Sequence, residues 1–271
     1  MTDDPLRRIA DALDRLSPPA VASPDPSHGA AFIWDGGALS RVDRFAPMPL
    51  ALLTGIDRQK DAFVENIERF ARGAAAHDVL LWGARGTGKS ALVKSAVGHV
   101  RRDSDQLALV SVSGTDALPR LFARLATVDR SFLLFLDDLG FESAADGRLL
   151  RSLLDGGVEA RPDNVRLAVT ANRRHLLPRD IAAQESAINP RDAIDDELAL
   201  ADRFGLSLGF HALDQDGFLA IVDALAQHHG VAVDHEMAVN WSTRRGGRSG
   251  RVAWQYVVEA AGQQGLPLKP C

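Results

Sequence analysis

The sequence predicts an α/β fold, a parallel five-stranded sheet between helices, followed by a small all-helical C-terminal domain. Three observations carry that prediction. Apolar runs of strand length alternate with helix-length segments between residues 79 and 210, and strands separated by helices pair in parallel with both faces covered. The stretch Gly83-Ala84-Arg85-Gly86-Thr87-Gly88-Lys89-Ser90 has complete G-x-x-x-x-G-K-[ST] spacing between an apolar run and a helical one, the context a phosphate-binding loop needs. Beyond Asp214 the pattern becomes wholly helical.

In chain order, Leu6, Ile9, Ala10, Leu13 and Leu16 recur at helical spacing and predict a short amphipathic helix stopped by Ser17-Pro18-Pro19. A Pro-containing linker follows, to about Gly29. Such a helix can dock on a partner or pack on its own domain, and the sequence leaves both open. Ala31-Phe32-Ile33-Trp34 reads as a strand ended by the turn Asp35-Gly36-Gly37, and Asp57 to about Arg72 as a helix with Ala62, Phe63, Ile67 and Phe70 on its inner face. The sheet strands are Val79–Trp82, Leu107–Val112, Phe132–Leu136, Val165–Thr170 and Leu206–Phe210. Between them lie helices over Ala91–Val100, Ala117–Ala126 and Arg148–Leu154, and the C-terminal helices cover Gly217–His228, His235–Arg244 and Arg251–Ala261.

Composition narrows the class. The chain of 271 residues is 46% hydrophobic, enough for one sizeable core plus a smaller domain. Its net charge of -5 gives no overall basic field for nucleic acid, so such a partner rests on local clusters alone, Arg101-Arg102 or Arg244 to Arg251. The single cysteine, Cys271, excludes an intramolecular disulfide and suits a reducing compartment. No secretory signal and no membrane-length apolar run is visible, so the chain reads as soluble and cytoplasmic, with no membrane partner.

The chemistry concentrates at strand ends. Glycines let the loop backbone curl around phosphate; Lys89 would reach the β and γ phosphates of a nucleotide and Ser90 would ligate Mg2+. The apolar strand running into Asp137-Asp138 puts Asp137 where it would hold that Mg2+ and Asp138 where it would orient or deprotonate water. The bland alternative is a turn or helix cap. A second strand ends in Asn172, able to hydrogen-bond both a γ-phosphate and a lytic water, or simply to form a turn.

These motifs, together with Asp202-Arg203-Phe204-Gly205 and Gly247-Arg248-Ser249-Gly250-Arg251, resemble those of an AAA+ ATPase in their order: Walker A, Walker B, sensor 1, arginine finger, sensor 2. More narrowly, the chain resembles a bacterial P-loop ATPase family catalogued as a domain of unknown function, from about Leu50 to Ala261. The resemblance implies an AAA+ core over residues 51–212, a helical lid over 213–271 and an N-terminal extension over 1–50. It implies ATP and Mg2+ as cofactors, with loop residues from Gly83 through Ser90 and Ala91 at the phosphates. Leu53 to Ile56, with Gly55 and Ile56 foremost, would contact adenine. Arg251 would be the sensor-2 arginine, and Arg203 the finger that reaches a neighbouring subunit, which demands a homo-oligomer. The residues alone leave open an intrachain ion pair for Arg203 and a solvated basic face for Arg244, Arg245, Arg248 and Arg251.

One departure is Asp138, where many active members carry Glu. The carboxylate is a methylene shorter, which slows hydrolysis if water is held less closely. Glu142 is a second carboxylate in reach by sequence. The loop Ser113-Gly114-Thr115-Asp116 lacks the aromatic pair of threading unfoldases, and 156–164 shows no helicase-type hairpin insertion. Two readings therefore stand: an ATP-hydrolysing oligomer that remodels an unknown protein partner, and an ATP-dependent switch or adaptor with slow hydrolysis. A small-molecule kinase leaves Arg203 and the helical domain unexplained.

Overall fold

The computed structural model describes residues 24–113, 117–138, 153–154, 161–172 and 202–268. The expected N-terminal amphipathic helix, Glu142, Cys271 and most of the Arg148–Leu154 helix lie outside the described residues. Among the described residues, seven strands form one sheet: β1 Ala31–Asp35, β2 Ala38–Arg41, β3 Val79–Gly83, β4 Leu107–Val112, β5 Ser131–Leu136, β6 Val165–Asn172 and β7 Leu206–Phe210. Their spatial order is β2-β1-β4-β5-β6-β3-β7, and every pair is parallel except β1 with β2. All five expected strands are adjacent in that order. The sheet is longer than five strands because β1 pairs with β4 and carries β2 on its outer edge. The Gly36-Gly37 turn between them needs left-handed φ at both residues, +54 and +90, which glycine supplies without a Cβ penalty.

The described helices are α1 Asp57–Ala71, α2 Lys89–Val100, α3 Leu118–Leu125, α4 Gln215–His229, α5 His235–Arg244 and α6 Gly250–Gln263. β5 is buried at every residue, as an interior parallel strand covered on both faces must be. One core forms where Phe63, Ile67 and Phe70 of α1 and Leu92 and Val97 of α2 meet Leu81, Leu133 and Phe135. On the other face Leu121, Phe122 and Leu125 of α3 meet Phe32, Leu134 and Leu167. The period-2 alternation of strand side chains divides the two cores. A third core, around Phe218, Val222, Tyr256 and Val257, holds the C-terminal helices together.

This topology sets where chemistry can occur. β6 lies between β3 and β5, so Gly83 stands opposite Asn172 and the residues after Leu136 emerge beside them. Ligands of parallel sheets bind outside the carboxyl ends of the strands, where the strand order reverses.

Candidate functional site

The loop after β3 is shaped by backbone crowding. Gly83 has φ +139, and a Cβ there would lie 1.9 Å from the carbonyl oxygen of Phe210. Ala84 N–H donates to that same oxygen at 3.1 Å, so β7 pins the chain as it leaves the sheet. Gly86 and Gly88, with φ +73 and +94, then turn the chain into the N-terminus of α2. A curled loop ending at a helix N-terminus is an anion-binding concavity. Lys89 is buried and its Nζ donates back to the Gly83 and Ala84 carbonyls at 3.0 and 2.7 Å. Burial pushes its pKa below the ordinary 10.5, while Asp138 and Asp137 pull the other way.

The strand ends meet this loop. Ser90 Oγ donates to Asp137 Oδ1 at 2.5 Å, and Thr170 Oγ1 donates to the same oxygen at 2.8 Å. The Asp138 N–H donates to Thr170 Oγ1 at 2.7 Å. Asp138 has φ +52, a left-handed conformation that an aspartate accepts better than most residues. Asn172 Nδ2 donates to Asp138 Oδ1 at 2.5 Å, and an Arg85 guanidinium nitrogen lies 3.5 Å from Asp138 Oδ2. Thr170 escaped the sequence reading. Its signal was a hydroxyl inside the otherwise apolar run Leu167 to Ala171, and it is buried to 1% exposure.

Beside the loop lies a cavity of about 320 Å3 between the sheet domain and the C-terminal helices. The expected Ile56, Lys89, Ser90, Ala91 and Arg251 line it, together with Leu53 and Thr54. Gly55 turns the same segment with φ +75. Met48, Leu52, Ile221, Leu225 and Trp254 complete the apolar wall and were not anticipated. The C-terminal helices are fixed to the loop directly, because Gly250 N–H donates to Gly86 O at 2.8 Å. Ser249 caps α6 through its hydroxyl, which accepts from Val252 N–H at 3.2 Å, and this start of the helix carries Arg251 to the cavity.

The residues present fit a nucleoside triphosphate with a divalent cation. The apolar wall suits a base, the loop and buried Lys89 suit phosphate, and the hydroxyl of Ser90 beside the Asp137 carboxylate is an all-oxygen donor set of the kind Mg2+ takes. Thr54 Oγ1, buried in the cavity wall, has no hydrogen-bond partner among the described residues and offers a polar contact at the base end.

Arg203 is placed elsewhere. Leu206 pairs with Val79, whereas Phe210 pairs with Gly83, so Arg203 precedes the end of β7 opposite the loop. A five-residue strand, roughly 16 Å at the usual rise, separates the two ends. Phe204 is buried in the sheet core, and a Cβ on Gly205 would lie 2.2 Å from His77 Nδ1. Exposed Arg203 therefore sits on a firmly packed segment.

The model of a family described as a protein of unknown function (DUF815) matches residues 27–264. Among solved structures, the Thermotoga maritima RuvB Holliday junction branch migration motor is similar over 82% of this chain and 68% of its own, with a TM-score of 0.54 and 19% identity. The Aeropyrum pernix ORC1 protein, solved in complex with DNA, is similar over 82% of this chain and 66% of its own, with a TM-score of 0.54 and 14% identity. Likeness at these identities establishes the fold, that of AAA+ proteins. No curated protein matches the chain.

Proposed function

The chain belongs to the family described as a protein of unknown function (DUF815), and on that premise we propose that it is an Mg2+-dependent ATPase that works as a homo-oligomer to remodel a protein partner. The observation that carries this reading is the single cluster joining Ser90, Asp137, Asp138 and Asn172 across the ends of three elements, next to an apolar cavity of nucleotide size. In this reading the core over 51–212 binds the nucleotide and the helices over 213–271 close on it as a lid.

Each residue then has one task. Ser90 and Asp137 hold the cation, which neutralises phosphate charge when bound. Lys89 exchanges its two loop carbonyls for phosphate oxygens. Asp138, aimed by Asn172, takes or orients the proton of the attacking water. Arg251 meets the nucleotide from the lid, while Leu53, Gly55 and Ile56 flank the base. Arg203, a strand's length away from its own loop, acts on the site of a neighbouring subunit. The lone Cys271 suits a cytoplasmic setting. The branch migration activity named for RuvB and the DNA seen with ORC1 belong to those proteins; a net charge of -5 favours a protein partner here.

A second reading is favoured by the shorter Asp138 side chain, a switch in which ATP assembles subunits and turnover is slow. Steady-state hydrolysis over a range of protein concentrations, beside solution mass with and without nucleotide, separates the two. Turnover per subunit that rises with ATP-dependent assembly supports the oligomeric enzyme. Assembly with negligible turnover supports the switch, and no ATP binding at all overturns both.

A further inference from the structure

Asp138 has both carboxylate oxygens engaged, and by different segments. Asn172 donates to Oδ1 at 2.5 Å, and Arg85 approaches Oδ2 at 3.5 Å. Arg85 belongs to the phosphate loop itself, two residues after Gly83. The pair is exposed, with 81% of the Arg85 side chain and 58% of the Asp138 side chain open to solvent. Such a contact contributes little to folding and exchanges easily. Among the described residues, Asp138 is the only ionic partner of Arg85.

The place of this guanidinium is what gives it meaning. Its partner carboxylate directly follows Asp137, which Ser90 and Thr170 fix beside the start of α2. The Arg85 guanidinium is also close enough to Lys89 to disfavour the positive charge there. Two cations of one loop thus converge on the end of the site where a terminal phosphate would lie. A terminal phosphate carries more charge than one carboxylate and offers a guanidinium two oxygens at once.

The geometry points to Arg85 as a second phosphate-binding cation, supplied by the loop in its own subunit, which is parked on Asp138 and transfers to the terminal phosphate when a nucleoside triphosphate binds. The transfer releases Asp138 Oδ2 toward water only when that phosphate is present. The inference rests on the nucleotide-site reading above and adds to it a side chain that distinguishes tri- from diphosphate.

The test is a double-mutant cycle on the full chain by titration calorimetry, with Mg2+, using ADP and an ATP analogue carrying a non-hydrolysable β–γ imido bridge. Loss of one charge-assisted contact predicts that Arg85→Gln weakens the analogue by about tenfold while changing ADP affinity by less than about twofold. Asp138→Asn removes the parking place, so it should tighten the analogue, and part of that gain should vanish in the Arg85→Gln background. Equal gains in the two backgrounds, or equal losses for analogue and ADP, would overturn the role of Arg85 while leaving the nucleotide site standing. If the unaltered chain bound neither ligand, the nucleotide-site reading would fall first.

Discussion

The side-chain amide of Asn172, at the end of β6, donates to the carboxylate of Asp138, just past the end of β5, at 2.5 Å. The bond joins residues 34 apart in sequence through strands that are direct neighbours in the sheet. It holds Asp138 in a left-handed backbone conformation with its carboxylate turned toward the phosphate loop.

If Asn172 aims Asp138, removing the amide should damage turnover rather than binding. Asn172→Ala is expected to lower kcat by about 10²-fold, the usual weight of a positioned proton acceptor, with ATP affinity changed by less than about threefold. The comparison of kcat with a directly measured Kd checks it. An equal loss in both would place Asn172 on the ground-state phosphate instead.

The exit of the loop from the sheet depends on one missing side chain. At φ +139, and with a would-be Cβ 1.9 Å from the Phe210 carbonyl oxygen, Gly83→Ala must move the backbone of β3 or β7. We expect a loss of about 3 kcal/mol or more from the strain and the displaced contact together, read as a shift in the denaturant midpoint. Gly73→Ala, also at positive φ but with open space around it, should cost about 1 kcal/mol.

Lys89 gives the ligand-free protein a pH dependence of definite sign. Burial depresses its folded-state pKa below 10.5, so in the interval beneath that value the unfolded chain binds more protons than the folded one. Stability from this group therefore rises as pH climbs through the depressed value toward 10.5, and is lost as pH falls back through it. Lys89→Met should abolish nucleotide binding and remove that alkaline slope. Denaturant titrations of the two proteins from neutral to alkaline pH measure the difference.

Much of this was legible in the sequence because the signals were local. Leu107–Val112 and Leu206–Phe210 read directly as strands and His235–Arg244 as a helix, since an apolar run, an alternating run and a helical period marked the three in turn. The phosphate loop and the Asp137-Asp138 strand end declared themselves by spacing. β2 was missed because only Leu39 of its four residues is buried, leaving almost no pattern, although Gly36-Gly37 marked the turn before it. Met48 and Trp254 reach the cavity only through packing of segments some 200 residues apart, which no window of sequence displays. The Arg85–Asp138 contact was hidden likewise, because it depends on β3 and β5 being one strand apart.

An ATP site completed by Arg203 of another subunit is tested by mixing two defective proteins. Arg203→Ala retains its own site but lacks the finger, whereas Asp138→Asn binds nucleotide, lacks the proton acceptor and keeps its finger. Each alone should turn over ATP at no more than a few per cent of the unaltered rate, consistent with the roughly 10³-fold or greater effect of a trans arginine elsewhere. Mixed, they should recover hydrolysis, rising and then falling as the mole fraction is varied. A mixture no more active than the sum of its parts, or full activity in Arg203→Ala alone, would show that each site works without its neighbour's arginine.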